Sequence, residues 1–352
     1  MKRMRNIALI TGAGGMDAKT LTHLLLSKNY QVILTYRRNS YFDAENIRAI
    51  FKEDLINPNC KLELEPCDIS SGDSIAYCIK EIISQYGRID EVYALAAMSH
   101  VGQSFSQKEL SIQVNGMSHY YFLEALKNYS SRTKYYGAMT SELTGGIQDV
   151  PFNEEHNWHP RSPYAISKAL GARWIDFYKE SDDSKLFCCY GILFNHSNTY
   201  RSKDFVIRKI TNTAARIALG KTDKLKLAYI DWARDEHWAD FGCEAMWKML
   251  QLSAPQNLVV ANGVAHTGED YLNEAFNYFN LDWHKYVEFD GSLHRPNEVT
   301  KLIGDSTKAQ QVIDWKCNRM PFKDHIKLMC QYDHCLESGV KAVRPDVFKL
   351  YP

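Results

Sequence analysis

The stretch ALITGAGGMDAKTL, Ala8 to Leu21, passes from an apolar run through three glycines into a segment of helical period. Gly12, Gly15 and Ala18 stand at the G-x-x-G-x-x-G/A spacing, directly after a strand candidate and at the start of a helix candidate. Residues without side-chain bulk let the backbone approach a pyrophosphate, which then sits on the free N–H groups and positive end of the helix. An ordinary tight turn is the plain alternative. Strand before, helix after and a place at the head of a longer alternation favour a dinucleotide turn.

That alternation runs outward from the turn. Strand candidates NIALIT, QVILTY, KLELEPC, EVYALA, KYYGAM and KLFCCYGILF are separated by helical stretches such as KTLTHLLLSKN, GDSIAYCIKEIISQYG and HYYFLEALKNYS. Apolar runs without strict alternation belong to strands buried on both faces. The pattern predicts an α/β fold with a doubly wound parallel sheet. After about Phe194 the order changes to a polar loop, the helix FVIRKITNTAARIALG, irregular segments and a last helix from Phe322 to about Ser338. We expect a dinucleotide-binding domain over residues 1–194, a smaller substrate lobe over 195–338 and a terminal extension over 339–352.

Composition narrows the function. Forty-two basic residues balance 42 acidic ones, so nothing marks the chain for nucleic acid or an anionic membrane, and a small-molecule ligand is expected. The longest apolar runs are strand-length, and the start MKRMRNIALITG lacks the apolar core of a signal peptide, so a cytoplasmic protein is expected. Nine cysteines without a C-x-x-C spacing read as reduced, mostly buried thiols, and no metal site is expected.

The second strand candidate ends in Arg37 and Arg38, where an NAD-selective site offers a carboxylate to the ribose. Guanidiniums cannot accept from a hydroxyl but pair well with a 2′-phosphate, so NADP is expected rather than NAD. A solvated basic pair at a strand end is the alternative. Asp68 and Ile69 follow the third strand, where an adenine ring would lie, although Asp68 would also serve as a plain helix N-cap.

Chemistry gathers in two places. In YYGAMTSEL a buried strand ends by presenting Thr140, Ser141 and Glu142, and SPYAISKAL puts Tyr164 and Lys168 four apart on one helix face behind Pro163. An ammonium beside a phenol lowers the phenol's pKa and makes it a usable base for a sugar hydroxyl. Glu142 adds a carboxylate that simple oxidation, reduction or epimerisation does not require. Once C4 of a hexose is a ketone, the C5 proton is acidic, and such a carboxylate can remove it while the C6 hydroxyl leaves as water.

The order of these features, with the fragments RR-S, LAAMSHV, TSEL, PRSPYAISK, GILFNH, FVIRKIT, EAMW, HRPNEV, LIGD and KAQQVIDWK, resembles the GDP-mannose 4,6-dehydratase family of extended short-chain dehydrogenase/reductases over residues 6 to 338. The resemblance implies a Rossmann-type domain, bound NADP, a GDP-sugar substrate and a homodimer or homotetramer. It implies Thr140, Glu142, Tyr164 and Lys168 as the catalytic set. For the cofactor it implies Gly12, Gly15, Met16, Asp17, Arg37, Arg38, Asp68, Ile69, Leu95, Ala96, Ala97, Ser99 and His196, with Tyr164 and Lys168. For the substrate it implies Ser99, Ser141 and Glu142, with Asn195 and Lys209 on hydroxyl or phosphate groups, Arg234 and Arg295 on the diphosphate, and Glu298 at the GDP end.

The chain departs from the family pattern at four places, one of them Thr144, which replaces an aromatic after TSEL. Gly14, Met16 and Ala18 stand where Thr, Gln and Gly are usual, SNTYRSKD replaces the usual loop after His196, and RDEHWADFGCEAMW rearranges Glu236, His237 and Trp238. These changes question the sugar more than the chemistry. GDP-mannose is the simplest substrate and a GDP-manno-heptose the alternative. A nucleotide-sugar epimerase or 4-dehydrogenase without elimination, and a non-enzymatic cofactor-bound subunit, are the competing classes.

Overall fold

The computed structural model describes residues 5–37, 47–56, 61–146, 151–294 and 297–352. Its main sheet has seven strands: β1 (Ile7–Thr11), β2 (Gln31–Tyr36), β3 (Leu62–Pro66), β4 (Glu91–Ala94), β5 (Lys134–Thr140), β6 (Cys188–Leu193) and a last one, Leu258–Val260. From the edge at Leu258–Val260 they run β6, β5, β4, β1, β2, β3. The pairings β1–β2, β2–β3, β1–β4, β4–β5 and β5–β6 are all parallel. The expected doubly wound α/β architecture is therefore present. The order reverses between β1 and β4, which is where such sheets open a crevice at their carboxyl ends.

Burial explains why the strands read as they do. Every residue of β1 and β6 is buried, and the neighbours Tyr135 and Tyr136, on opposite faces of β5, are both fully buried. Helices cover the sheet, among them α1 (Met16–Ser27), α2 (Gly72–Tyr86), α3 (Ser118–Tyr129) and α4 (Pro163–Glu180). Ser71 caps α2, its hydroxyl accepting the Ser74 N–H at 3.3 Å, and Gly87 ends the helix at φ 79.

The chain forms two compact units. One comprises residues 1–145, 157–193 and 243–258; the other comprises 146–156, 194–242 and 259–352. The second is built on α5 (Val206–Ala218), α7 (Gly268–Tyr278) and α8 (Phe322–Glu337), with α6 (Ala239–Gln251) entering it at its first residues. Its small sheet centres on Ala233–Trp238, flanked by Ala265–Thr267, Lys301–Leu302 and Asn195–Ser197. Inside this unit Asp333 of α8 receives the Arg208 guanidinium at 2.6 Å and the Thr211 hydroxyl at 2.7 Å, which fastens α5 to α8.

The eight cysteines among the described residues are free, six of them buried. No helix among the described residues is long and apolar enough to cross a membrane.

Candidate active site

The glycine turn has the shape its sequence demands. Gly12 adopts φ +85, and a Cβ there would come within 2.8 Å of the Ala96 Cα, so only glycine fits. Its carbonyl accepts the Gly15 N–H at 2.8 Å, and Gly15 opens α1 in extended conformation with no side chain on the cap. Met16 is buried, and Asp17 lies in the first helical turn. The Thr11 hydroxyl accepts the N–H groups of Leu95 and Ala96 at 3.0 and 2.9 Å, tying the carboxyl end of β1 to the segment after β4. These glycines and the bare helix start fit a dinucleotide's pyrophosphate.

Arg37 follows β2 and is exposed, while Arg38 lies outside the described residues. Asp68 is not a helix cap, because Ser71 has that place. Its carboxylate instead accepts the N–H and hydroxyl of Ser70 at 3.0 and 2.7 Å, and Ile69 beside it is buried. Ala97 is half-buried and Ser99 exposed.

Strand β5 ends where sequence reasoning puts it. Thr140 accepts the Glu142 N–H at 3.2 Å and so caps a short 3₁₀ turn, Ser141–Thr144. Ser141 is buried, whereas Glu142 keeps partial exposure. Behind the turn, the Leu143 carbonyl accepts the His159 N–H at 2.8 Å. Ser162 caps α4 through the Ala165 N–H at 3.1 Å, Pro163 stands in its first turn, and the Tyr164 N–H is held by the Ser104 hydroxyl at 3.1 Å.

Lys168, 3% exposed, donates from Nζ to the carbonyl of Ala138 at 2.8 Å. Burial pushes its ammonium down to about 8, against a smaller upward pull from the Asp17 carboxylate. One turn further along α4, Gly171 leaves room for His119, whose Cδ2 would lie 2.4 Å from a Cβ. His119 is held down to about 3, first by burial and then by the Lys168 charge, and it shares a 2.7 Å hydrogen bond with the Tyr135 hydroxyl.

Sequence reasoning missed the polar chain beneath this helix. Asn115, fully buried in a widened helical turn, grips Met98 at both N–H (2.9 Å) and carbonyl (3.2 Å). Its amide also reaches the Ser111 hydroxyl at 3.3 Å, which lies 2.9 Å from that of Ser167. The one available signal was an Asn-Gly pair inside a helical pattern, with Gly116 packed on Leu170.

In the second unit Asn195 and His196 pair with Glu236 and His237, and Lys209 is half-buried in the first turns of α5. The His196 and His237 rings stack at 5.2 Å, with Trp315 edge-on to His237. Arg234, 8% exposed, donates to the carbonyls of Ala233, Val299 and Thr300 and pairs with Glu298 at 3.5 Å. Arg295 lies outside the described residues.

A family description of GDP-mannose 4,6 dehydratase matches residues 9–329. The chain belongs to the GDP-mannose 4,6-dehydratase family. It is thereby a hydro-lyase of the nucleotide-sugar 4,6-dehydratase type. It is 39% identical to GDP-mannose 4,6 dehydratase 2 of Arabidopsis thaliana over 333 residues, covering 94% of this chain and 87% of that one. With the human GDP-mannose 4,6 dehydratase the identity is 34%, over 95% and 92% of the two chains. Solved structures similar in fold include dTDP-glucose 4,6-dehydratase of Bacillus anthracis in complex with NAD (TM-score 0.78, 17% identity, 95% and 98% covered). Another is the RMD protein of Pseudomonas aeruginosa complexed with NADPH (TM-score 0.75, 18% identity, 96% and 100% covered). Against the GDP-mannose 4,6-dehydratase pattern, the departures at 197–204 and 236–238 all fall in the second unit.

Proposed function

We propose that the protein is an NADP-dependent GDP-mannose 4,6-dehydratase that yields GDP-4-keto-6-deoxymannose. The observation that supports this reading is the Lys168–Ala138 bond, which ties α4 to the last residues of β5 inside the unit that contains Thr140, Glu142, Tyr164 and Lys168. When bound, NADP would supply the hydride acceptor for C4 and, once reduced, the hydride donor for C6.

Tyr164 takes the proton of the C4 hydroxyl, helped by the Lys168 ammonium one helical turn away. Thr140 accepts from Glu142 N–H with a lone pair, which leaves its own proton to donate to the C4 oxygen. Glu142, partly exposed, removes the C5 proton of the ketone and delivers a proton to the departing C6 hydroxyl. Ser141 and Ser99 border this chemistry. Asn195 and Lys209 are assigned to hydroxyl or phosphate groups, Arg234 and Arg295 to the diphosphate, and Glu298 to the guanosine end. Arg234 brings its charge from a position already fixed by three carbonyls.

Gly12, Gly15, Met16 and Asp17 hold the pyrophosphate side of the cofactor; Asp68 and Ile69 border the adenine, and Leu95, Ala96, Ala97 and His196 complete the set. Arg37 and Arg38 select the 2′-phosphate. The reading is tested by giving NADP-loaded protein GDP-mannose and, separately, a GDP-manno-heptose, with the sugar nucleotide read by mass spectrometry. Loss of one water from GDP-mannose is expected. Loss only from the heptose moves the substrate, and loss from neither rejects the dehydratase reading.

A further inference from the structure

The terminal extension, residues 339–352, lies beyond the 9–329 span matched by the family, yet it is fastened into the second unit. The Arg344 guanidinium pairs with Asp240, a carboxylate only 3% exposed. The other oxygen of that carboxylate accepts the Asn198 amide at 2.9 Å, and Asn198 in turn accepts the Tyr200 N–H at 2.9 Å. The Arg344 guanidinium also stands 5.5 Å from the centre of the Tyr200 ring. Burial raises the Asp240 carboxyl, and the Arg344 charge is the largest influence opposing that rise.

The tail behind Arg344 is anchored independently. Val347 is buried, Phe348 meets Phe241 edge-on at 5.8 Å, and the Arg319 guanidinium lies over both rings while its Nε donates to the Tyr351 carbonyl at 2.7 Å. Arg344 is thus delivered to Asp240 by a fixed support. Asn198 and Tyr200 belong to SNTYRSKD, the segment that departs from the family pattern immediately after Asn195 and His196. Arg208 holds the same segment from its other side, donating to the carbonyls of Thr199 at 2.6 Å and Arg201 at 2.9 Å.

We propose that Arg344 is a positioning residue for the substrate-binding segment 197–204, acting through Asp240 and Asn198. The terminal extension thereby becomes part of the device that shapes the sugar-nucleotide site in this chain. A neutral or displaced tail would leave Asp240 buried without its counter-charge and release Asn198, and with it the turn at Tyr200. That this segment meets substrate rests on the dehydratase reading above; that Arg344 orders it does not.

The test compares full-length, NADP-loaded wild type with Arg344→Ala, Arg344→Lys and the double variant Asp240→Asn/Arg344→Ala. Hydrogen exchange of residues 197–204 is read beside steady-state turnover of GDP-mannose. Arg344→Ala is expected to lose protection over 197–204 by about tenfold, with 134–140 unchanged. Its KM should rise about tenfold, with kcat within about twofold of wild type. Arg344→Lys, which keeps the charge, should recover part of both. The double variant removes the unpaired buried carboxylate, so it should regain thermal stability without regaining KM, and it supplies the comparison if the single variant does not fold. Unchanged exchange over 197–204, or a double variant with wild-type KM, overturns the proposal. A wild type that does not dehydrate GDP-mannose refutes the dehydratase reading, while the exchange comparison still decides the role of Arg344.

Discussion

Lys168 reaches across from α4 to donate to the carbonyl of Ala138, two residues before Thr140 on β5. The bond gives the ammonium a fixed place near the carboxyl end of β5, and burial there pushes it down to about 8. Its charged form is therefore present below that value and lost as pH rises through it. On the proposed mechanism, turnover should fall along an alkaline limb centred near pH 8, as the Lys168 charge assigned to assist Tyr164 is lost. A kcat/KM profile flat to pH 10 would show that Lys168 is not the group that supplies it.

Glu142→Gln separates elimination from oxidation. The amide keeps the size of the side chain and its place in the 3₁₀ turn but cannot take the C5 proton. Dehydrated product should fall by about 10²–10⁴-fold, while reduction of the bound cofactor by GDP-mannose survives. Dehydration at a near wild-type rate would remove Glu142 from the mechanism.

Gly145→Ala tests the frame behind that turn. Gly145 sits at φ +63, and a Cβ there would lie 1.9 Å from the His159 carbonyl oxygen. The backbone must shift, and Glu142, whose carbonyl accepts the Gly145 N–H, must shift with it. Stability should drop by more than about 1 kcal/mol, with a loss of dehydration larger than the loss of cofactor binding. Equal losses of both would mean that the turn does not position Glu142.

Much of this frame was legible in the sequence, since long apolar strands and a glycine turn advertise themselves by composition. The limits were physical. KLFCCYGILF suggested a strand from Lys185, but Lys185 takes φ 41 in a turn closed on Ser181, and β6 begins only at Cys188. The strand ARDEHW read as irregular because four of its six residues are ionisable; Arg234 to His237 are nevertheless all buried. Tertiary partners explain it. Asp235, for example, takes the N–H groups of Asn262, Gly263 and Gly304 at 2.8, 2.7 and 3.2 Å, and no local pattern announces donors so far along the chain. Of the expected site, the strand end and helix start were readable from residue type, whereas Asn115 and His119 matter through packing that sequence does not display.

His119→Gln should change the pH dependence of stability. The folded value near 3 lies below the ordinary 6.5, so the unfolded chain takes up this proton first. The histidine's contribution is complete above about pH 6.5 and is lost as pH falls toward 3. Relative to wild type, the glutamine variant should gain about 1.4 kcal/mol per pH unit through that window. Parallel stability curves for the two proteins would mean that His119 is not buried neutral.

The central claim is that hydride taken from C4 returns to C6 of the same sugar while water leaves. GDP-mannose deuterated at C4, incubated with NADP-loaded protein in ordinary water, tests it directly by mass spectrometry and NMR of the product. The account predicts a product lighter by one water that carries the deuterium at C6. A product that has lost the label to solvent, or a sugar nucleotide that keeps its water and is merely epimerised or oxidised at C4, would contradict it.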